Sequence, residues 1–235
     1  YGCFGPTLCG EFFIPFHELY TAGIHKQIAP QDAYKSPVDL SVAIRGAFSD
    51  AAPPVGYNTK YLYPRAGLNV LAQGLARRCD IRYGKRAVEI DVGSREVRFG
   101  DGTVEPYEAL ICTLPLNHTL RLAAVAVDEP PAPYTSTLVL NVGGRKGPAL
   151  PQDHWLYHPR SEAGFHRVGI YSNVDASFVP KSRRTDDSHA SFYVERAYLG
   201  GERPTDEQVQ QYAHDVVAEL KSWEFLDEAE AVDPT

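Results

Sequence analysis

The sequence predicts an α+β fold in which helices accompany a mainly antiparallel sheet and a second, partial sheet. Three observations carry this. Apolar residues recur at helical spacing over 67–78 and again over 205–223. Apolar and polar residues alternate over 88–99, the period of a half-buried strand. Four segments rich in β-branched and aromatic residues then follow one another between 135 and 197, separated by turn-forming residues rather than helices.

The first thirty residues are aromatic-rich. Leu8, Phe12, Phe13 and Phe16 form one apolar helical face, and Pro15 is expected to kink or end that helix near Ile14. A second helix is expected over about 39–48, with Asp39 as its cap and Leu40, Ala43, Ile44 and Phe48 on one face. The Pro/Gly cluster of 51–56 then reads as a linker. Leu68, Leu71, Ala72, Leu75 and Ala76 define a helix over 67–78 that closes on Arg77 and Arg78, where cations favour the helix dipole.

Val88, Ile90 and Val92 alternate with acidic residues, and Val97 and Phe99 flank Arg98. Gly100-Asp101-Gly102 supplies a turn into Thr103-Val104. Ala109–Leu114 lacks polar alternation and reads as a strand covered on both faces, with Cys112 a small buried hydrophobe. A second linker, 128–133, precedes strand candidates at 135–142, 155–158, 167–171 and 191–197. Thr205 and Gln208 have capping-box spacing ahead of a helix lined by Val209, Tyr212, Ala213, Val216, Val217 and Leu220. The acidic ending, 224–235, carries no structural signal of its own. These breaks suggest three parts: 1–56, 57–127 and 128–235.

A chain of 235 residues with 43% hydrophobic content can fill an ordinary core. Its net charge of −7 is spread without long single-sign runs, which argues against a nucleic-acid partner. No apolar run reaches the roughly 18 residues of a membrane-spanning helix, and no secretory leader is visible, so the expected location is cytoplasmic. The four cysteines show no metal-ligand spacing and are expected to be reduced; a homo-oligomer is an allowed assembly. The chain contains no methionine, and its start at Tyr1 with no initiator leads to the expectation of a piece of a longer protein.

Familiar catalytic patterns are missing from the sequence. There is no G-x-G-x-x-G or Walker loop, and Gly143-Gly144-Arg145-Lys146-Gly147, with no helix behind it, reads as a surface turn. His17-Glu18 opens like a zinc-protease helix, but position 21 is Thr21, so no metal is expected there. Asn173, Asp175 and Ser177 lack the glycine and glutamate of a calcium loop, and no G-x-S-x-G elbow occurs. The scattered histidines read as solvated or locally bonded. Tyr57, Tyr61 and Tyr63 cluster beside Lys60 and Arg65; with His17 and Tyr20 they form either a polar-aromatic substrate pocket or a Tyr-rich seam between domains.

The order of several motifs adds to this reading. P-F-H-E-L-Y at 15–20, Y-L-Y-P-R-A-G-L-N-V-L-A-Q-G-L at 61–75, I-R-Y-G-K-R-A-V-E-I-D at 81–91, and D-G-T-V followed by Y-E-A-L-I-C-T-L-P-L to Leu116 resemble the middle portion of FAD-dependent amine-oxidase superfamily proteins. The nearest branches are protoporphyrinogen-oxidase-like and UDP-galactopyranose-mutase-like. The resemblance covers about 8–120. It places the Pro15 segment in a helical substrate domain, leads the Y-P-x-G-G-type helix back into an FAD-binding domain with α/β elements, and sets the backbone of Val88 against the FAD adenine. Two departures stand out: Ala66-Gly67 replaces the usual Gly-Gly, and Leu19-Tyr20-Thr21 replaces K-L-W.

The resemblance implies that FAD is the cofactor of the intact protein and that a small organic molecule, an amine or a tetrapyrrole, gives a hydride to the flavin. A sugar-nucleotide mutase, with Lys60 and Arg65 on a diphosphate, is the alternative, and a non-catalytic binding module is the second. The dinucleotide fingerprint of the superfamily does not occur here, so the expectation is an internal fragment that does not retain FAD alone.

Overall fold

The computed structural model describes residues 4–28, 40–48, 62–130, 132–185 and 187–235. The chain divides into two compact units, one of Tyr1–Tyr61 with Pro133–Thr235 and one of Leu62–Ala132.

The first unit opens on a continuous helical run of α1 (Gly5–Leu8), a π-helical turn (Cys9–Phe13) and α2 (Ile14–Tyr20). The expected stop near Ile14 does not occur. A proline lacks the N–H of the helical ladder and crowds the carbonyl four residues back, so it is tolerated only where the ladder is open. The π turn supplies that opening: the Ile14 N–H reaches Cys9 O, five residues back, and Pro15 falls in the first turn of α2. Helix α3 follows at Leu40–Ala47, while its expected cap, Asp39, lies outside the described residues.

The second unit contains α4 (Asn69–Ala76), a three-stranded antiparallel sheet of β1 (Ala87–Asp91), β2 (Glu96–Phe99) and β3 (Val104–Pro106), and α5 (Leu116–Leu122). Ile90 pairs with Val97 across β1 and β2, and both are buried. The predicted strand 109–114 is irregular instead, with Ile111 90% exposed and Cys112 only half-buried. A strand covered on both faces takes its hydrogen bonds from two neighbours. The sheet formed by the described residues ends at β3 without reaching it. The apolar residues of α4 are likewise uncovered, Leu71 at 64% and Leu75 at 61% exposure.

The main sheet belongs to the first unit, in the order β5-β6-β7-β4-β8, and is separate from the three-stranded one. Its strands are β4 (Thr135–Lys146), β5 (Trp155–Tyr157), β6 (Arg167–Ile170), β7 (His189–Leu199) and β8 (Leu226–Pro234), all paired antiparallel. Between β6 and β7 the chain forms α6 (Tyr171–Val174) and short 3₁₀ turns at Ala176–Phe178 and Lys181–Arg183. Helix α7 (Asp206–Ser222) starts with the predicted capping box: Thr205 Oγ1 accepts from the Gln208 N–H, and the Gln208 side chain accepts from the Thr205 N–H. Leu140, Val142, Phe192 and Val194 on one face of the sheet pack with Tyr212, Val216 and Leu220 of α7 in a fully buried core.

Two sequence expectations fail in this sheet for one reason. The segment 143–147 is not a surface turn; most of it continues β4, because β8 pairs alongside it. A Cβ at Gly144 would stand 2.0 Å from the Glu228 carbonyl oxygen, so the close approach of β8 demands glycine there. The acidic ending that carried no signal is β8 itself. Among the described residues no helix is long and apolar enough to cross a membrane.

Candidate functional site

Side chains alternate across a strand. While Ala190, Phe192 and Val194 of β7 enter the core, Ser191, Tyr193 and Glu195 stand on the opposite face of the sheet. Register brings the neighbouring strands to them. Glu195 lies across from Arg167, which lies across from Tyr157, and Tyr193 lies between Gly169 and Asn141. The Tyr193 ring rests on Gly169, where a Cβ would sit 1.8 Å from it.

Arg167 donates to Glu195, and its guanidinium carbon is 5.6 Å from the Tyr193 ring centre. His166 Nε2 lies 3.3 Å from the other Glu195 oxygen. One carboxylate, with its side chain 14% exposed, thus holds two cation-forming groups. Burial pushes the Glu195 pKa up, but the hydrogen bonds from His166 and Arg167 outweigh it and hold it below the ordinary value. Burial works against the Arg167 charge as well, and Glu195 overcomes it, leaving the guanidinium more firmly protonated than usual. Burial raises the Tyr193 phenol, so that ring is neutral. Arg167 Nε and His166 Nδ1 are buried without a hydrogen-bond partner.

Rings frame this ion pair on both sides. Phe12, Phe16 and Tyr20 stack at 5.5 Å intervals along the helical run; Phe16 packs on Tyr157 and Tyr20 on His166, each at 5.1 Å. At the other end Tyr171 lies 4.5 Å from Tyr193 and stacks on Phe178. A fixed, one-third exposed guanidinium set among flat rings can hold an acceptor or anionic group of a ligand beside its apolar body.

The predicted site residues are distributed differently. Tyr20 joins this face and is half exposed. His17, on the same helix, turns back instead: its Nδ1 donates to Phe13 O at 2.6 Å. Tyr63 and Arg65 precede α4 in the second unit, Tyr63 half-buried and Arg65 exposed. Tyr57, Lys60 and Tyr61 lie outside the described residues. The Ala66-Gly67 departure keeps the glycine that matters, since Gly67 has φ +87° and closes a turn onto Pro64 O. Arg167, Glu195, His166 and Tyr193 escaped the sequence reading. For Tyr193 and Glu195 the signal is the polar phase of the 189–199 alternation; Arg167 and His166 lie outside it. Among the described residues no group of three His, Cys, Asp or Glu is placed to hold a metal ion.

Residues 42–233 match the family model of flavin-containing amine oxidoreductases. The chain belongs to this family. The crystal structure of a reduced UDP-galactopyranose mutase is similar over 99% of the chain, with a TM-score of 0.79 at 22% identity. The chain spans about half of that mutase, 53% of its length. The PF1083 protein from Pyrococcus furiosus is similar over 73% of the chain and 43% of its own, with a TM-score of 0.53 at 14% identity. At these identities the likeness is one of fold. No curated protein sequence matches the chain.

Flavin is the cofactor of this family, and the residue that the resemblance sets against its adenine is Val88. Register shifts between Ala87 and Glu89, so Val88 is the extra residue of a β-bulge on an edge strand, 44% exposed. The pyrophosphate has no counterpart: the sequence contains no glycine-rich strand-to-helix loop.

Proposed function

We propose that this chain supplies the substrate-binding part of an FAD-dependent oxidoreductase, with 1–56 and 128–235 in the substrate domain and 57–127 crossing into the FAD-binding domain. The observation that carries this reading is the Arg167–Glu195 pair standing among rings on the face of the sheet opposite its core. When bound, FAD supplies the hydride acceptor for a C–N or C–C bond of an amine, a tetrapyrrole or a related organic molecule. Arg167 binds an acceptor group of the substrate, Tyr157 and Tyr193 orient its flat part, and Glu195 fixes the guanidinium. Tyr20 closes one side of the face; His17, Tyr57, Lys60, Tyr61, Tyr63 and Arg65 are proposed to bind substrate as well. The backbone of Val88 takes the adenine. The 235-residue chain alone does not retain FAD, for want of a pyrophosphate loop; the intact protein works on a small molecule in the cytoplasm.

The test is anaerobic mixing of the intact flavoprotein with amines and tetrapyrroles while flavin absorbance is followed. Bleaching by one class, with an apparent Kd that rises at least tenfold in Arg167→Ala, supports the reading. The fold likeness to the mutase supports a second one. Conversion of a UDP-sugar by the reduced but not the oxidised protein replaces hydride transfer with isomerisation. Failure of both assays leaves the non-catalytic binding module.

A further inference from the structure

The Arg167 face and the cavity beside it form one continuous surface. The cavity, about 300 Å³, is lined by Tyr171, Phe178, Val179 and Pro180, and Tyr171 lies 4.5 Å from the Tyr193 ring beneath the Arg167 guanidinium. A ligand anchored at Arg167 can lay its apolar body over Tyr193 and toward that cavity. Arg167 meets such a ligand through one end. Its Nη2 donates to Glu195, and its Nε is closed off without a partner. Nη1 makes no hydrogen bond among the described residues, and the side chain is 32% exposed. The open end of the guanidinium therefore presents N–H donors and no acceptor.

No net positive charge stands behind those donors. The Glu195 carboxylate cancels the Arg167 cation. The Nδ1 of His166 is buried with no acceptor to receive an N–H, so its proton belongs on Nε2, toward Glu195, and the ring adds no second cation. In the cavity Arg183 is matched by Glu230 at 3.0 Å, with His189 on the other Glu230 oxygen, and the exposed Asp233 adds a negative charge. A ligand anion about 4 Å from the guanidinium stands about 6 Å from the carboxylate paired with it, so roughly two-thirds of the Coulomb attraction is taken back. The anion must also lose its water among the rings. A neutral carbonyl escapes both costs and still accepts a hydrogen bond from a charged donor. A cation is repelled by Arg167 and brings it no acceptor.

We infer that Glu195, by neutralising Arg167, sets the specificity of this surface: it takes a flat, uncharged ligand with a carbonyl-type acceptor and turns away carboxylates, phosphates and protonated amines. The inference rests on the reading of Arg167 as the substrate anchor and narrows that reading to neutral organic molecules. A sugar nucleotide, with its diphosphate, is disfavoured at this anchor.

The test is titration of the 235-residue chain with acetophenone, benzoate and benzamidinium, which share a shape and differ in charge, followed by the amide chemical shifts of 156–158, 167–171 and 193–195. Saturable acetophenone binding at these amides is expected, with a Kd on the order of 1–10 mM for a ligand of about nine heavy atoms. Benzoate and benzamidinium should bind at least about fivefold more weakly. Glu195→Gln removes the opposing charge and should tighten benzoate about tenfold while acetophenone changes by less than about threefold. Arg167→Gln should weaken acetophenone about fivefold. If Glu195→Gln does not fold, the ratio of acetophenone to benzoate affinity in the native chain decides. Benzoate or benzamidinium binding as tightly as acetophenone overturns the inference. So does unchanged benzoate affinity in folded Glu195→Gln, or the absence of a saturable acetophenone shift at these amides. Because no flavin enters the titration, the two readings fail separately: a preference for benzoate leaves the bleaching test standing, and absent bleaching leaves the charge preference to be measured.

Discussion

Replacing Glu195 with Gln isolates the electrostatics of the site from its shape. The amide keeps the volume and one acceptor oxygen, but an NH2 replaces the other oxygen, so the charge is lost together with the acceptor for either Arg167 or His166. Removing one partner of a buried ion pair costs about 3–5 kcal/mol because the other charge stays behind. Arg167 is 32% exposed and recovers part of that from water, which places Glu195→Gln at about 2–3 kcal/mol. For a chain of this size each kcal/mol moves the melting temperature by about 2–4 °C, so a drop of about 4–12 °C is expected at pH 7. The sign of the pH dependence follows from the direction of the shift. The folded-state pKa of Glu195 is depressed, so its contribution is complete above the unfolded value of about 4.3 and is lost as pH falls through the lower folded value. Melting curves of the two proteins should stay a constant distance apart from about pH 8 to 5 and converge below about pH 4. A gap under about 0.5 kcal/mol at pH 7, the scale of exposed pairs, would refute the assignment of Glu195 as a desolvated anchor. A gap that does not narrow at all as pH falls from about 5 to about 2 would refute the depressed pKa.

Four further substitutions probe the frame around the site. Gly144→Ala drives a Cβ into the Glu228 carbonyl and is expected to lose about 3 kcal/mol or more, read by urea unfolding, with β8 amides exchanging faster; Gly143→Ala should be neutral. Thr205→Ala removes the cap of α7 and should cost about 1 kcal/mol, or about 2–4 °C. Glu219→Ala takes the acceptor from Ser161 Oγ and from the Glu162 and Ala163 N–H groups. A loss of at least about 2 kcal/mol is expected, with accelerated hydrogen exchange at those two amides.

How far the sequence could be read depended on whether a feature was stabilised locally. Helix α7 was legible to within a residue, since its capping box and apolar face lie within one segment. The β2–β3 hairpin was legible for the same reason, its turn residues being contiguous. β8 was not, because it pairs closely against Gly144, more than eighty positions earlier in β4. The helix through Pro15 depends on a π turn, a backbone adjustment with no residue signature. The stretch 109–114 has the composition of a covered strand but lacks strand neighbours among the described residues, and propensity alone does not pair a strand.

The core and the candidate site are two readings of one strand, which is why one was seen and the other was not. In β7 the apolar phase, Ala190-Phe192-Val194, repeats a signal carried by β4 and β6, so any register that buries it looks acceptable. The polar phase, Ser191-Tyr193-Glu195, acquires meaning only in the observed register. There Glu195 meets Arg167, Tyr193 covers Gly169, and Ser191 faces Gly143. A slip of two residues would keep the core buried but leave Arg167 without its carboxylate and drive the Tyr193 ring onto a residue that has a side chain. Arg167, Glu195 and Gly169 therefore act on the register, and the chemistry of the open face helps to choose among alignments that the hydrophobic core does not distinguish.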